Sequence, residues 1–161
     1  MKLLSAHIEN FGKLSNKTFD FADGMNVFCE ENGWGKSTLA AFLKVMFYGF
    51  EGDRVRDELD NERKKFKPWQ GGVYGGSIRF KANEKVYRLN RTFGAKEAED
   101  EFLLLDAVTG LASKDFTSNI GEELFGVDVT GFRRTVLLSQ NECATALTDS
   151  SATMPLQPLV I

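Results

Sequence analysis

Hydrophobic and polar residues alternate along several short stretches of the chain, the pattern of β-strands that bury one face. The alternating stretches are residues 3–11, 17–21, 77–81, 86–93 and 102–106. The first two predict a strand pair joined by a turn at 12–16, and the last three predict an antiparallel meander. Because such a meander has one solvated face, we expect Arg79, Arg88 and Arg91 to lie on that face.

A different pattern lies between the strand pair and the meander. The apolar run at 25–28 predicts a short buried strand, and residues 39–48, rich in Ala, Leu and Met, predict a helix that ends at Gly49. The stretch 29–38 between them is a glycine-rich turn from strand to helix. Backbone N–H groups of such a turn, together with the helix N-terminus, form a binding site for phosphate.

This turn predicts a phosphate-binding (Walker A) loop made of Asn32, Gly33, Trp34, Gly35, Lys36, Ser37 and Thr38. Lys36 can reach the β- and γ-phosphates of a nucleotide, and the Ser37 hydroxyl can hold Mg²⁺. The pattern begins with Gly, whereas this chain has Glu30. A Glu fits there if its backbone angles are ordinary and its carboxylate points away from the phosphates. The alternative is a glycine-rich turn with a chance lysine.

The last third of the chain predicts two short helical segments. Residues 119–126 predict a helix, with Asn119 and Glu122 at capping-box spacing and Gly126 at its end. Thr130 is placed to cap a further helical turn.

A buried strand is predicted over residues 135–139, and it ends at Gln140. Polar side chains at the C-terminal ends of parallel strands are where open α/β sheets contact ligands. Residues 145–161 change to small polar residues, prolines and an apolar end without period. We therefore expect one folded unit over 1–148, with 149–161 a tail or a truncation scar.

Composition adds limits to this picture. The 161 residues suffice for one domain or part of one, and 14 Phe residues can supply a core. The formal net charge of −3 gives no overall basic field that would indicate nucleic-acid binding. The densely charged residues 50–67 have mixed signs, which favours a solvated connection. Residues 63–69, at the end of this stretch and just after it, are basic with interleaved aromatic residues. This pattern is compatible with binding a phosphate of a nucleotide or of DNA.

One histidine and two cysteines, residue types that often act in catalysis or bind metals, are expected to have structural roles. His7 lies inside the first strand, and Cys29 and Cys143 have no metal-binding spacing, so we expect all three to pack rather than react. No apolar run reaches the length of a membrane span, and the first residues do not form a signal peptide. We therefore expect a cytoplasmic protein without a membrane partner.

In this order, the motifs resemble the N-terminal lobe of an ABC-type ATPase head of the SbcC/SMC/RecF kind, which are DNA-repair and chromosome-structure ATPases. The resemblance covers about residues 1–148. It rests on Ile8–Gly12, similar to the family's opening strand and Asn-Phe turn, on the phosphate-binding loop, and on Arg133–Glu142, similar to the strand that leads into the family's Q-loop. It implies an α/β P-loop NTPase fold, with a mixed sheet beside the antiparallel meander.

The resemblance also implies a ligand and residues that bind it. Lys36 and Ser37 would bind the phosphates and Mg²⁺ of ATP, and Gln140 would complete the Mg²⁺ shell and position the attacking water. Lys13 follows the Asn-Phe turn, where relatives place a residue near the nucleotide. Many repair members have Arg directly after that Phe, and this chain has Gly12.

Heads of this family are split, and a second lobe beyond a long coiled coil supplies the catalytic acid, the signature loop and a switch His. The sequence shows none of these, so we expect the chain to bind Mg²⁺-ATP, to contain no catalytic residue and not to hydrolyse ATP alone. The implied partners are the C-terminal lobe, a second head in an ATP-dependent head-to-head homodimer, DNA and a nuclease subunit. The main alternative is a non-hydrolysing regulatory or dimerisation module. A small-molecule kinase is a third, although the strand pair and long antiparallel insertion do not suit a compact kinase.

Overall fold

The centre of the molecule is a single sheet of five strands in which every neighbouring pair is antiparallel. The computed structural model describes residues 1–52 and 61–137, and all structural statements refer to these. The strands are β1 (Lys2–Phe11), β2 (Leu14–Asp20), β3 (Gly75–Ala82), β4 (Lys85–Thr92) and β5 (Glu101–Asp106). Their spatial order is β2-β1-β3-β4-β5. The predicted strands of the pair and of the meander are therefore confirmed, but they belong to one sheet, since β1 pairs with β3.

The helices are α1 (Lys36–Tyr48), α2 (Glu62–Lys65), α3 (Ile120–Phe125) and α4 (Val129–Thr135). Helix α1 packs against one face of the sheet, α3 packs against α1, and α4 packs against α3. The long helix α1 places Phe42, Val45 and Met46 against Ile78 and Leu89 of the sheet, and all five side chains are fully buried. Each such burial stabilises the fold by about 1.5–3 kcal/mol relative to exposure, so α1 is fixed rigidly on the sheet. Within the described residues, no helix has the length and apolar character needed to span a bilayer.

The turn between β1 and β2 is shorter than predicted. Phe11 pairs directly with Leu14, so the turn consists of Gly12 and Lys13 alone and not of residues 12–16. Gly12 has φ +54°, a left-handed conformation that glycine adopts without a steric penalty. The tight turn puts Lys13 at the tip of the hairpin.

Arg91 does not lie on the solvated face predicted for it, whereas Arg79 and Arg88 are exposed there as expected. Arg91 shares the inner face of β4 with Tyr87 and Leu89 and is only 8% exposed. Its Nη2 donates to the carbonyl oxygen of Ser118 at 2.5 Å, and burial lowers the pKa of Arg91 to about 10. The guanidinium therefore remains charged at neutral pH.

The buried strand predicted at residues 25–28 is not formed. Met25 and Val27 are 89% and 77% exposed, and residues 25–28 pair with no strand among the described residues. A strand needs a neighbour to receive its backbone hydrogen bonds, and β2 is the edge of the described sheet on this side. The expected mixed sheet is therefore absent from residues 1–52 and 61–137, whose sheet is antiparallel throughout.

The predicted helix at 119–126 is confirmed as α3, but its capping box is wrong. The Asn119 side chain makes no capping hydrogen bond, and the carboxylate that bonds near the helix start is that of Glu123, which accepts from the Thr117 amide. Thr130 does not cap α4 either. The cap is Asp128, whose Oδ1 accepts from the Gly131 amide at 2.7 Å.

The strand predicted at 135–139 is wrong at its beginning. Thr135 is the last residue of α4, and Val136 continues in the right-handed helical conformation. The helix is fixed here by Phe132, whose ring packs at 5.0 Å from that of Tyr48 and at 4.9 Å from that of Phe125. Residues 138–139, Gln140 and the segment 149–161 lie outside the described residues.

Candidate nucleotide-binding site

The glycine-rich loop leads directly into α1, as predicted, but the helix begins at Lys36 and not at Leu39. Gly33 and Gly35 have φ of +87° and +119°, conformations that favour glycine and allow a tight turn. A Cβ atom at Gly35 would lie 2.9 Å from Leu14 Cδ2 and 3.2 Å from Lys13 Cε. The loop can therefore approach the β1–β2 hairpin this closely only because position 35 has no side chain.

The Lys36 side chain folds back across the loop. Its Nζ donates to the carbonyl oxygen of Glu30 at 2.5 Å and to that of Glu31 at 3.1 Å. The Trp34 amide also donates to the Glu31 carbonyl oxygen, at 3.2 Å. These three hydrogen bonds close the loop on itself and hold the ammonium group on its inner side.

Glu30, at the position where the pattern has Gly, contributes through its backbone. It is not among the non-glycine residues with positive φ, so the tight turn does not strain it. Its carbonyl oxygen accepts from Lys36, and its side chain is exposed and forms no ion pair with another described residue. The first condition for a Glu at this position, ordinary backbone angles, is met.

Lys13 supplies a second ammonium group at the loop. From the hairpin tip, its Nζ lies 4.0 Å from the position a Cβ would take at Gly33. Gly12 makes this approach possible, since a Cβ there would lie 3.2 Å from Thr38 Cγ2 in the first turn of α1. Two lysines from different elements therefore face the same loop.

The remaining loop residues have distinct surroundings. Asn32 and Ser37 are exposed, and Thr38 is half-buried. The Trp34 ring packs edge-on against Phe19 of β2, with ring centres 5.8 Å apart, which ties the loop to the sheet. Trp34 thus has a packing role, whereas the Ser37 hydroxyl is available in the first turn of α1.

The described residues fit a polyphosphate. A loop shaped by glycines, two ammonium groups and the N-terminus of a 13-residue helix meet at one place, and no side chain caps that helix. Its first N–H groups have no partner within the helix and are directed toward the loop. For Mg²⁺, the described residues offer the Ser37 hydroxyl, and they contain no group of three or more His, Cys, Asp or Glu side chains arranged for a metal. The second predicted metal ligand, Gln140, lies outside the described residues.

Sequence reasoning missed the support given by Phe66. Its carbonyl oxygen accepts from the Gly12 amide at 2.6 Å, and its ring stacks at 5.0 Å on that of Phe11. The segment after α2 therefore holds the hairpin tip over the loop. The aromatic residues interleaved in the basic stretch 63–69 were the available signal, but their pattern was interpreted only as a contact with phosphate.

The sequence of this chain is similar to a known protein family and to known proteins. The family described as AAA domain matches residues 5–144. The uncharacterised protein YhaN of Bacillus subtilis (strain 168) is 36% identical over 99 residues, which are 60% of this chain and 9% of YhaN. The SbcC component of the nuclease SbcCD from Deinococcus radiodurans is 31% identical over 164 residues, covering 91% of this chain and 17% of that protein. The chain therefore spans less than a fifth of either of these curated relatives.

The family match includes the hairpin tip, the whole glycine-rich loop and α1. These are the elements that bring Lys13, Gly35 and Lys36 together. The chain belongs to the AAA domain family and is similar to the N-terminal region of SbcC/SMC-like ATPases.

Proposed function

We propose that this chain is the Mg²⁺-ATP-binding N-terminal portion of an SbcC/SMC-like ATPase that acts in DNA repair or chromosome maintenance. The observation that carries the proposal is the position of the Lys36 ammonium, held on the inner side of a glycine-rich loop that Lys13 also faces. Two cations beside a helix N-terminus suit the clustered negative charges of a triphosphate.

The proposed roles of Lys36 and Lys13 are consistent with their present contacts. Lys36 would exchange the carbonyl oxygens of Glu30 and Glu31 for phosphate oxygens, which are charged and therefore stronger acceptors. Lys13 would neutralise phosphate charge from the tip of the β1–β2 hairpin. Ser37 would hold Mg²⁺, which when bound neutralises charge on the β- and γ-phosphates. Gln140 is proposed as the second Mg²⁺ ligand on the resemblance alone.

Hydrolysis is assigned to a larger assembly. Among the described residues, no ion pair joins a carboxylate to Lys13 or Lys36, and the resemblance assigns the catalytic acid to a second lobe. We propose that a C-terminal lobe supplies it, and that two heads associate when ATP is bound. Because one relative is a component of the nuclease SbcCD, a nuclease subunit and DNA are proposed as partners.

The test is calorimetric titration of the chain with Mg²⁺-ATP, alongside Lys36→Ala. We expect Lys36→Ala to bind about 10- to 100-fold more weakly, the effect of losing a hydrogen bond to a charged group. Lys114→Ala is the matched control, because Lys114 is exposed and forms no ion pair with described residues. Equal affinity of Lys36→Ala and the unaltered chain, or no binding by either, would refute the proposed site. Phosphate release that depends on Lys36 would contradict the need for a second lobe.

A further inference from the structure

A separate cleft of about 430 Å³ opens between the segment that follows α2 and the β4–β5 connection. Its lining includes Lys64, Lys67, Pro68, Tyr74 and Phe93. Tyr74 and Phe93 are buried, with ring centres 5.4 Å apart, and Pro68 is buried beside them. Lys64 and Lys67 are exposed. The cleft therefore combines an apolar wall with cations at its rim, a combination suited to a planar apolar group joined to an anion.

Two carboxylates near this cleft, those of Asp100 and Glu99, have hydrogen-bond partners of their own. Arg63 Nη1 and Nη2 donate to the two carboxylate oxygens of Asp100, at 2.6 and 2.9 Å. A Glu99 carboxylate oxygen accepts from the Ala95 amide at 2.8 Å. Lys67, in contrast, forms no ion pair with any residue in 1–52 or 61–137. The Lys67 ammonium is thus available to an external anion.

Trp69 lies in sequence between the lining residues Pro68 and Gly71 and is 85% exposed. It follows Pro68, and the chain reverses after it through Gly71 and Gly72, whose φ values are +72° and +85°. An exposed indole forgoes the stabilisation that burial of a large aromatic side chain contributes. Such a residue beside a basic cleft offers a flat surface on which a ligand can stack.

The segment that carries Trp69 is held at both ends. The Phe66 carbonyl accepts from Gly12 at 2.6 Å, and the Asn10 side-chain amide donates to the Val73 carbonyl oxygen at 3.0 Å. Gln70 also donates to Asn10, at 3.3 Å. The indole is therefore presented by a loop whose ends are fixed to the end of β1.

We infer that Trp69 and the cleft beside it bind single-stranded nucleic acid, with an unpaired base stacked on the indole and a backbone phosphate on Lys67. Stacking on an aromatic side chain requires an exposed base face, which a duplex does not offer. Phosphate contact with lysine suits any sequence. The inference rests on the proposed function, which it deepens by naming the form of nucleic acid. It concerns a different site, so oligonucleotide binding and Mg²⁺-ATP binding can fail separately.

The experiment is fluorescence anisotropy of a labelled oligothymidylate of about 12 nucleotides, within the range that one binding fold covers. The 161-residue chain is titrated at several salt concentrations. We expect Trp69→Leu to weaken binding about tenfold, and Trp69→Phe, which keeps a stacking ring, to restore most of the affinity. Lys67→Gln should reduce the slope of log affinity against log salt by about 0.7, the value for one phosphate of a single strand. Lys114→Gln is the control for loss of an exposed lysine.

The result that overturns the inference is equal affinity and salt slope for Trp69→Leu, Lys67→Gln and Lys114→Gln. Equal binding of a duplex of the same length, with the same sensitivity to Trp69→Leu, would also overturn it, because the base faces are then hidden. If Trp69→Leu weakens Mg²⁺-ATP binding but leaves oligonucleotide binding unchanged, the cleft serves the nucleotide of the loop and the inference is again wrong.

Discussion

Lys44 is a lysine of α1 whose side chain is 2% exposed, and replacing it tests how the helix is held. Its Nζ lies 2.5 and 2.6 Å from the two carboxylate oxygens of Glu62 and 2.8 Å from Glu51 Oε2. Glu62 also accepts from the Glu51 amide at 2.9 Å. One buried ammonium thus joins α1 to the start of α2 and to the residues just after α1.

We expect Lys44→Met to reduce the free energy of unfolding by about 3 kcal/mol. Breaking a fully buried ion pair costs about 3–5 kcal/mol, because the remaining charge is left without a partner. The side chains of Glu62 and Glu51 are 22% and 29% exposed, so water can partly solvate their charges when the lysine is lost. We therefore expect a value at the lower end of this range. Methionine fills most of the volume of the lysine stem, so little of the loss comes from packing.

Urea denaturation followed by circular dichroism measures this change. Lys114→Met, at an exposed lysine, is the control and should stay within about 0.5 kcal/mol of the unaltered chain. The double variant Lys44→Met with Glu62→Met should recover part of the loss, since an apolar pair removes both charges. If Lys44→Met is as stable as the control, the cost of burying the ammonium cancels its attraction to the carboxylates, and the reasoning is refuted.

Two further substitutions test the loop and the sheet. Gly35→Ala should cost about 1–3 kcal/mol and weaken Mg²⁺-ATP binding at least tenfold, since its φ of +119° is strained for alanine and its Cβ would meet the hairpin. Gly110→Ala is the control, because Gly110 also has a positive φ, +72°, but a Cβ there would have no atom within 4 Å. This control should keep its full affinity for Mg²⁺-ATP in calorimetry. Unchanged affinity of Gly35→Ala would contradict the proposal. Tyr87→Phe removes the hydroxyl that donates to Asp115 at 2.7 Å, the largest cause that lowers the pKa of Asp115, so this pKa should rise toward its usual value in carboxyl NMR titration. Burial is the largest cause that raises the pKa of Tyr87 from 10.0 to about 12, and this hydrogen bond is the next. The stability that the neutral Tyr87 hydroxyl contributes is therefore complete below pH 10 and is lost as the pH rises to about 12. If the difference in unfolding free energy between Tyr87→Phe and the unaltered chain is the same at pH 9 and at pH 12, the raised pKa of Tyr87 is contradicted.

Local patterns predicted those elements whose partners are near in sequence. The alternation that identifies β3, β4 and β5 reflects a pleated strand with one buried face, and those strands are joined by short connections. The same alternation, with Tyr87 and Leu89 inside, places Arg91 inside as well. The expectation followed residue type instead, because a buried arginine is rare.

Other features depend on parts of the chain that a local pattern does not contain. An apolar run such as 25–28 becomes a strand only if another strand lies beside it. The β-branched Thr135 and Val136 favour a strand, but the Asp128 cap and the burial of Phe132 keep this segment helical. For the candidate site, the glycines and Lys36 were predictable from the loop motif. The contact of Lys13 with the loop requires the two-residue hairpin and the support from Phe66, which only the folded chain shows.

The pairing of β1 with β3 has a consequence for the order of folding. Ile8 pairs with Gly76, a separation of 76 − 8 = 68 residues, and the glycine-rich loop and α1 lie within this span. By loop-closure entropy alone, forming such a contact costs about 1.7 kcal/mol more than closing a ten-residue loop. Pairings of this range form slowly compared with a hairpin such as β1–β2. During synthesis α1 is also made before β3 and β4, which supply Ile78 and Leu89 of its packing surface. The glycine-rich loop therefore reaches its folded position late, after β3 has paired with β1, and the proposed nucleotide site is complete only in chains that have passed this step.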